Sequence, residues 1–585
     1  MAKIRQGHES VIGIERFGGL NLIDSLARKG CEAARAVNFE LMEDGSLSLR
    51  PGSRTLIDLI PEGFEGERAV KALWSGRVGG RETMLAAAGG ALWELRETST
   101  AWQKRKLRDI DTEERVCIFG FSDMAYILSN NSYLEFTGSR IYEVQGYMPL
   151  LYSNLSAEGE GAEREERNLL TSSVRVRYNV EEGETLFKLP SKNVASVDYV
   201  KDLVKGIIIL DYSFSPESRY VQIGEELSFG ENALEICFSE EGSQRELVLS
   251  MEEAELFSDG ARSAVFLCSS KTNKLLFSSH DENLRPRADY FPIHGYADIG
   301  EENSPLTGII RQQSSLFLFK KGSCWELSAD RLNLPDGRPL AAYYIRSVNR
   351  SFGNAAPFEL ALVENHVRSL DASSVLEWLP VQGSREAEYE QRQVSAKISK
   401  LLAGVNLEEA KSYYDREKRQ YYLMLPDGRL IVQNIKSGDF FCYEGLSVSC
   451  FLRQGARLLF GSRDGKLCLL SHELSTDDGS VINAEYESLK FGADYPFIRK
   501  NLTTAWISAE APPDSALDFA VLGDGGKLSE KEISFTDENT ELGARRQKFR
   551  LRGYLSMGFK LKTQSKLKIK ALYFRTEGSQ VHKVV

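Results

Sequence analysis

Six histidines, His8, His280, His294, His366, His472 and His582, are spread along 585 residues with no HxH or HExxH pattern and no cysteine at ligand spacing. A zinc centre needs three or four nitrogen or sulfur donors converging, usually from short fixed spacings, so this pattern argues against a metal site. His280 and His294 are the two that lie near one another, among Asp281, Asp289 and Tyr290. Ordinary hydrogen bonding in a loop explains them more simply than proton transfer or metal binding. Carboxylates are the other reservoir of chemistry. The 84 Asp and Glu residues could supply a glycosidase acid and base. Those two groups must stand about 5 to 9.5 Å apart in space, and nothing in the sequence locates such a pair.

No nucleophile elbow, P-loop or dinucleotide fingerprint occurs in its required strand-to-helix setting, and Gly18-Gly19, Gly89-Gly90 and Gly525-Gly526 read as turns. The run Ser462-Arg463-Asp464-Gly465 is superficially similar to the aspartate box of sialidase propellers. That box requires a further Gly and a Trp where Lys466-Leu467-Cys468 stands, so a type I′ hairpin turn is the simpler reading. The sequence therefore assigns no catalytic, cofactor-binding or metal-binding residue, and we expect no enzyme and no cofactor. Eight cysteines, Cys31, Cys117, Cys237, Cys268, Cys324, Cys442, Cys450 and Cys468, have no CxxC among them, and most lie in apolar strand-like runs. They predict buried free thiols from a reducing cytoplasm.

The elements that would carry these residues are short strands. An aromatic content led by phenylalanine and tyrosine, with 42% hydrophobic and 27% charged residues, suits a sheet-rich globular chain long enough for several domains. Strand patterns follow one another at 69–74, 83–88, 91–95, 116–119, 125–129 and 133–137, with turn residues between them. Hairpins with a common layout recur around Gly89-Gly90, Asn130-Asn131, Lys320-Lys321-Gly322-Ser323, Pro426-Asp427-Gly428 and Arg463-Asp464-Gly465. Such hairpins cannot bury their own apolar faces alone, and stacking them radially into a β-propeller covers every face. A regular period near 40 residues is absent, which leaves the blade number open.

The pattern breaks at the charged stretch from Glu158 to Arg167. The alternating strands after it predict an inserted β-sandwich over 155–260. This divides the chain into an N-terminal segment with first blades (1–154), the insert, remaining blades (261–486) and a C-terminal β-rich domain or closing blades (487–585). Helical spacing at Val394, Ile398 and Leu401 or Leu402 predicts a short helix within 386–402, and 25–35 is helix-compatible.

A formal net charge of −11 argues against a surface that grips nucleic acid all over. One local basic strip exists: Arg545, Arg546, Lys548, Arg550 and Arg552, then Lys560, Lys562, Lys566, Lys568 and Lys570, alternate with apolar residues. Solvated outer faces of amphipathic strands are the simpler reading; a surface facing DNA or an acidic neighbour is the sharper one. No run approaches the roughly 18 apolar residues of a membrane span, and the N-terminus has no signal-peptide pattern.

Resemblance adds to this reading. Phe17-Gly18-Gly19-Leu20-Asn21, Ala36-Val37-Asn38-Phe39, Asp44-Gly45-Ser46-Leu47 and Arg50-Pro51-Gly52 resemble the opening of the propeller proteins that form the tail nozzle of short-tailed bacteriophages. Leu306-Thr307-Gly308-Ile309, Leu316 to Gly322 and the run from Lys411 through Leu467 resemble their central and later blades, and Thr185 to Pro190 with Val197 to Val200 is similar to small β-domains of virion proteins. The insert and the loop lengths depart from the short-tailed type, so a neck or tail component of a long-tailed phage fits as well. The resemblance implies a virion structural protein, assembled in the host cytoplasm as a homo-oligomeric ring, with a hexamer favoured. Its partners would be other tail, connector or adaptor proteins, and genomic DNA would pass through its lumen without specific binding. The alternatives are a propeller-fold carbohydrate-active enzyme and a protein-binding adaptor.

Overall fold

The computed structural model describes residues 9–23, 31–258, 262–333, 339–381, 389–491, 499–524, 526–535 and 544–578. Fifty strands and two short α-helices lie among them, so the fold is mainly β, as the alternating patterns predicted.

Antiparallel meanders, the element from which propeller blades are made, recur along the chain. Five four-stranded sheets join strands in chain order. They run from Ala72–Val78 to Trp102–Asp109, Val116–Phe121 to Ile141–Glu143, Glu253–Ser258 to Tyr296–Asp298, Gly308–Gln312 to Pro339–Asn349 and Ala361–Val363 to Tyr389–Gln393. Two further meanders belong to larger sheets. One runs from Lys411–Asp415 to Asp439–Tyr443; the other joins Val448–Gln454, Arg457–Ser462 and Lys466–Ser471 to Gly52–Asp58, from near the start of the chain. Turn chemistry explains several of the hairpins. Gly89 and Gly90 at φ +59° and +72°, like Asn130 and Asn131 at +24° and +59°, supply the left-handed pair that a two-residue turn requires. Inner strands such as Ser315–Lys320 are buried at every position, which is why they read as continuous apolar runs.

The insert is a β-sandwich. Its larger sheet has six strands in the order Ala162–Glu163, Leu150–Leu155, Ser173–Val180, Gly230–Glu240, Val194–Asp202, Ile207–Ile209; the smaller holds Leu186–Lys188, Tyr220–Ile223 and Tyr212–Ser215. Val176, Tyr178, Phe187, Val200, Val221 and Ile236 fill the core of this region. The C-terminal segment is β-rich, and it shares its sheets with the start of the chain. Glu9–Ile14 pairs antiparallel with Lys568–Gly578, and Ala33–Val37 with Ala484–Ser488. Periodicity marks each strand but is blind to a partner more than 400 residues away.

The chain divides into two compact units, one of residues 1–73, 96–104 and 359–585, the other of 74–95 and 105–358. Two local expectations are corrected. Tyr389–Gln393 is a strand, and only Ala396–Ile398 and Ser399–Leu402 are helical turns, with Ile398 and Leu402 buried. Pairing with Ser374–Pro380 outweighs helical spacing there. Ala33–Val37 is likewise a strand, while residues 24–30 and 386–388 of the two helix-compatible stretches lie outside the described residues.

Candidate functional site

Arg50 is the most informative charged residue of the first unit, because its guanidinium is 1% exposed yet fully satisfied. Nε donates to Asn38 Oδ1 at 2.8 Å; Nη1 donates to the Pro51 carbonyl at 2.9 Å and Asp477 Oδ1 at 3.1 Å; Nη2 donates to Asp477 Oδ2 at 2.6 Å and the Glu444 carbonyl at 3.0 Å. Asp477 also accepts from the Ser53 amide and hydroxyl, and Asp478 from those of Thr55. Asn38, held at φ +56°, passes the network on to the Asn483 carbonyl and the Glu444 amide. These groups line a cavity of about 420 Å³ together with Ser462, Asp464 and Lys466. Bidentate Arg–carboxylate geometry is directional and strong when buried. Here it clamps the start of Gly52–Asp58 beside Thr476–Asp477 and leaves Arg50 no donor for a ligand.

The Gly-Gly pair of the same motif is not a turn. A Cβ on Gly18 would sit 2.9 Å from the Cys31 carbonyl oxygen and one on Gly19 2.5 Å from that of Phe440. Both glycines are needed for close backbone approach, which sequence reading cannot tell from turn use. Gly525 lies outside the described residues. Ser462 to Lys466 is also corrected: Gly465 has φ +90° while Asp464 is not left-handed, so the connection is a three-residue loop rather than a type I′ turn. Asp464 pairs with Lys466 at 2.8 Å.

A second cluster in this unit joins residues far apart in sequence. Glu40, 7% exposed, accepts from Gln420 through Oε1, and its Oε2 lies 3.3 Å from His472 Nε2. Tyr422 donates to Gln420 at 2.6 Å. Burial lowers the proton affinity of His472, and the nearby Glu40 charge offsets part of that effect. A carboxylate–imidazole pair is two-thirds of a hydrolytic triad. No hydroxyl or thiol among the described residues hydrogen-bonds the ring, so no nucleophile is activated there. The long stretch of chain between Glu40 and His472 hid this pair from sequence analysis.

In the second unit the loop histidines have ordinary partners. Asp281 accepts from the Asn283 and Arg285 amides, Arg287 forks onto Asp289, and Tyr290 both donates to and accepts from the Glu166 backbone. His294 is exposed, with Nδ1 3.1 Å from Glu166 Oε2. His280 stands in a bridge to Pro286. Close by, Glu165 accepts from the Leu150 amide at 2.5 Å and from the Tyr147 hydroxyl at 3.1 Å. Burial outweighs these bonds and pushes Glu165 up to about 7. Glu255 is likewise pushed up to about 7, by burial and then by Glu253. Glu282 meets Arg175 at 3.3 Å and Arg177 at 2.8 Å. Glu165 and Glu282 are thus linked through Arg175, whose Nη2 donates to Tyr147 at 2.9 Å.

The basic strip divides in two. Lys560 pairs with Glu485 and Glu487, Lys568 with Asp44 and Lys570 with Glu510, while Lys566 donates to the His472 carbonyl. Arg546, Lys548 and Arg552 remain exposed, and the side chain of Arg550 lies outside the described residues. All eight cysteines are free thiols, six of them buried. Among the described residues no group of His, Cys, Asp and Glu could hold a metal ion, and no helix is long and apolar enough to cross a membrane.

No family model and no curated protein matches the chain. Solved structures give faint likenesses. An exo-β-1,3-galactanase from Phanerochaete chrysosporium aligns over 90% of this chain and 100% of its own at 9% identity and TM-score 0.21. The S. cerevisiae core factor aligns over 57% of this chain and 58% of its own at 9% identity and TM-score 0.25. At these TM-scores neither bears on what this chain does.

Proposed function

We propose that this chain is a structural component of a bacteriophage virion, a tail nozzle or neck ring that extends the head–tail connector and forms part of the DNA passage. The observation that carries the reading is the Arg50 clamp. The motif residues on which the resemblance rests, Gly18, Gly19, Asn38 and Arg50, all serve backbone placement, and Arg50 spends every donor on it. A protein that works by shape needs such locks more than a reactive centre. In this reading copies of the chain close into a ring, hexameric by preference, against other tail, connector or adaptor proteins. It is made in the host cytoplasm and resides in the virion.

Light scattering after size exclusion is the first test, with a mass near six times the 65.6 kDa chain as the expected result. Rings of this kind can need their connector to close, so the same measurement is repeated with the connector protein added. A chain that stays monomeric in both, and is absent from particles whose genome encodes it, contradicts the proposal.

A second reading, a carbohydrate-active enzyme, is favoured by one observation: Glu165 raised towards neutrality beside Glu282, a carboxylate held by two arginines. A carboxyl raised towards neutrality with a second carboxylate nearby is what a glycosidase acid requires. Oligosaccharide hydrolysis that disappears in both Glu165→Gln and Glu282→Gln would establish that reading over the first.

A further inference from the structure

We infer that the outer face of the C-terminal sheet around Ala544–Tyr554 is a sequence-independent binding surface for the phosphate backbone of nucleic acid. Ala544–Tyr554 is the end strand of its sheet. Along it Phe549 and Leu551 are buried, whereas Arg546, Lys548 and Arg552 are exposed. Alternate residues of a strand share a face about 6.8 Å apart, so these cations form one row roughly 20 Å long.

The neighbouring strands continue the face. Arg546 stands opposite Trp506, itself opposite Tyr573; Lys548 stands opposite Thr504, itself opposite Arg575. Trp506 and Tyr573 are half-buried and paired across the two strands beside the cations. Carboxylates meet this face at its far side: Glu9 meets Arg575 at 2.6 Å, Glu577 acts on the same guanidinium from two residues along its strand, and Glu15 accepts from the Tyr573 hydroxyl at 2.9 Å. Arg546, Lys548 and Arg552 meet no carboxylate among the described residues, unlike Lys560, Lys568 and Lys570. In a chain of net charge −11, three uncompensated cations in line are a local exception. Their spacing suits a polyanion whose charges repeat every ~3.4 Å per strand along the duplex axis. Arginine's planar fork also matches phosphate oxygens. Cations in a single row answer to phosphate charge, which carries no sequence information, so binding is electrostatic and salt-controlled. The inference is independent of ring assembly, because a single copy carries the whole surface.

The test is fluorescence anisotropy of a labelled duplex of mixed sequence with the full-length chain, across a salt series. Three phosphate contacts predict a slope of log K against log salt of about −2.7. Replacing Arg546, Lys548 and Arg552 with Glu should weaken binding at least about tenfold at low salt and bring the slope towards zero. Replacing the three with Gln gives a milder version of the same loss and serves if charge reversal impairs folding, as judged by circular dichroism. The control K560Q/K562Q, on the other sheet, should bind as the unaltered chain does. Absence of binding, binding unchanged in both triple variants, or equal binding to polyglutamate with the same salt slope each overturns the inference, the last in favour of an acidic protein partner.

Discussion

The Arg50 clamp and the Glu165 network treat buried carboxylates in opposite ways. At Arg50, Asp477 is ringed by donors that hold a charge in place. Elsewhere in the same unit burial alone would raise Glu377, but the charges and hydrogen bonds of Arg368 and Arg392 bring it below its usual value. Asp44 is carried by Lys568 and Ser46, against burial, down to about 2. Glu165 and Glu255 lose water without enough compensation and rise to about 7. The difference teaches that burial by itself does not set the state of a carboxyl; the number and charge of its donors do. Glu377, lowered, and Glu165, raised, accordingly respond to pH in opposite senses.

Breaking the clamp should have the largest effect. Arg50→Ala strands Asp477 in a largely buried site and should cost about 3–5 kcal/mol. Hydrogen exchange should show lost protection in Gly52–Asp58 first. Replacing both partners by apolar residues, Arg50→Met with Asp477→Leu, should recover most of that loss. A double variant as unstable as the single would mean that the clamp's worth lies in its other bonds. Gly19→Ala comes next. Its Cβ would press on the Phe440 carbonyl, and overpacking of this kind costs about 1–3 kcal/mol, readable as a lowered thermal midpoint.

Glu165→Gln sharpens the comparison from the other side. A carboxyl whose folded value is raised from 4.5 to about 7 contributes stability that is present below the unfolded value and lost as pH rises through the folded one. The unaltered chain should therefore lose stability between about pH 4.5 and 7 at this site, while the Gln variant should not. Thermal midpoints of the two should converge in acid and separate, in favour of Gln, in mild alkali. His472 gives the smallest effect, with the opposite sign. Its lowered value means that stability is retained above 6.5 and lost as pH falls below it, so His472→Gln should flatten the acid limb of the same scan.

Much of the fold was legible in residues. The left-handed pairs Gly89-Gly90 and Asn130-Asn131 announced their turns, and runs such as Leu316 to Phe319 announced strands covered on both faces. Pairing across the chain was not legible, because Glu9–Ile14 carries nothing that names Lys568–Gly578 as its partner. Val394, Ile398 and Leu402 misled for a related reason: helical turns run only from Ala396 to Leu402, and a sheet partner claimed Tyr389–Gln393. The motif Arg50-Pro51-Gly52 was visible as a pattern, but its purpose depended on Asp477, far along the chain. Glu40 and His472 could not have been joined from sequence by any spacing rule.

Residence in the virion can be seen by electron microscopy of phage particles whose copy of this chain carries a bound label. Label is expected in a ring at the tail or neck, arranged about the axis along which DNA leaves. Particles without label, or label scattered with no axial order, would contradict it.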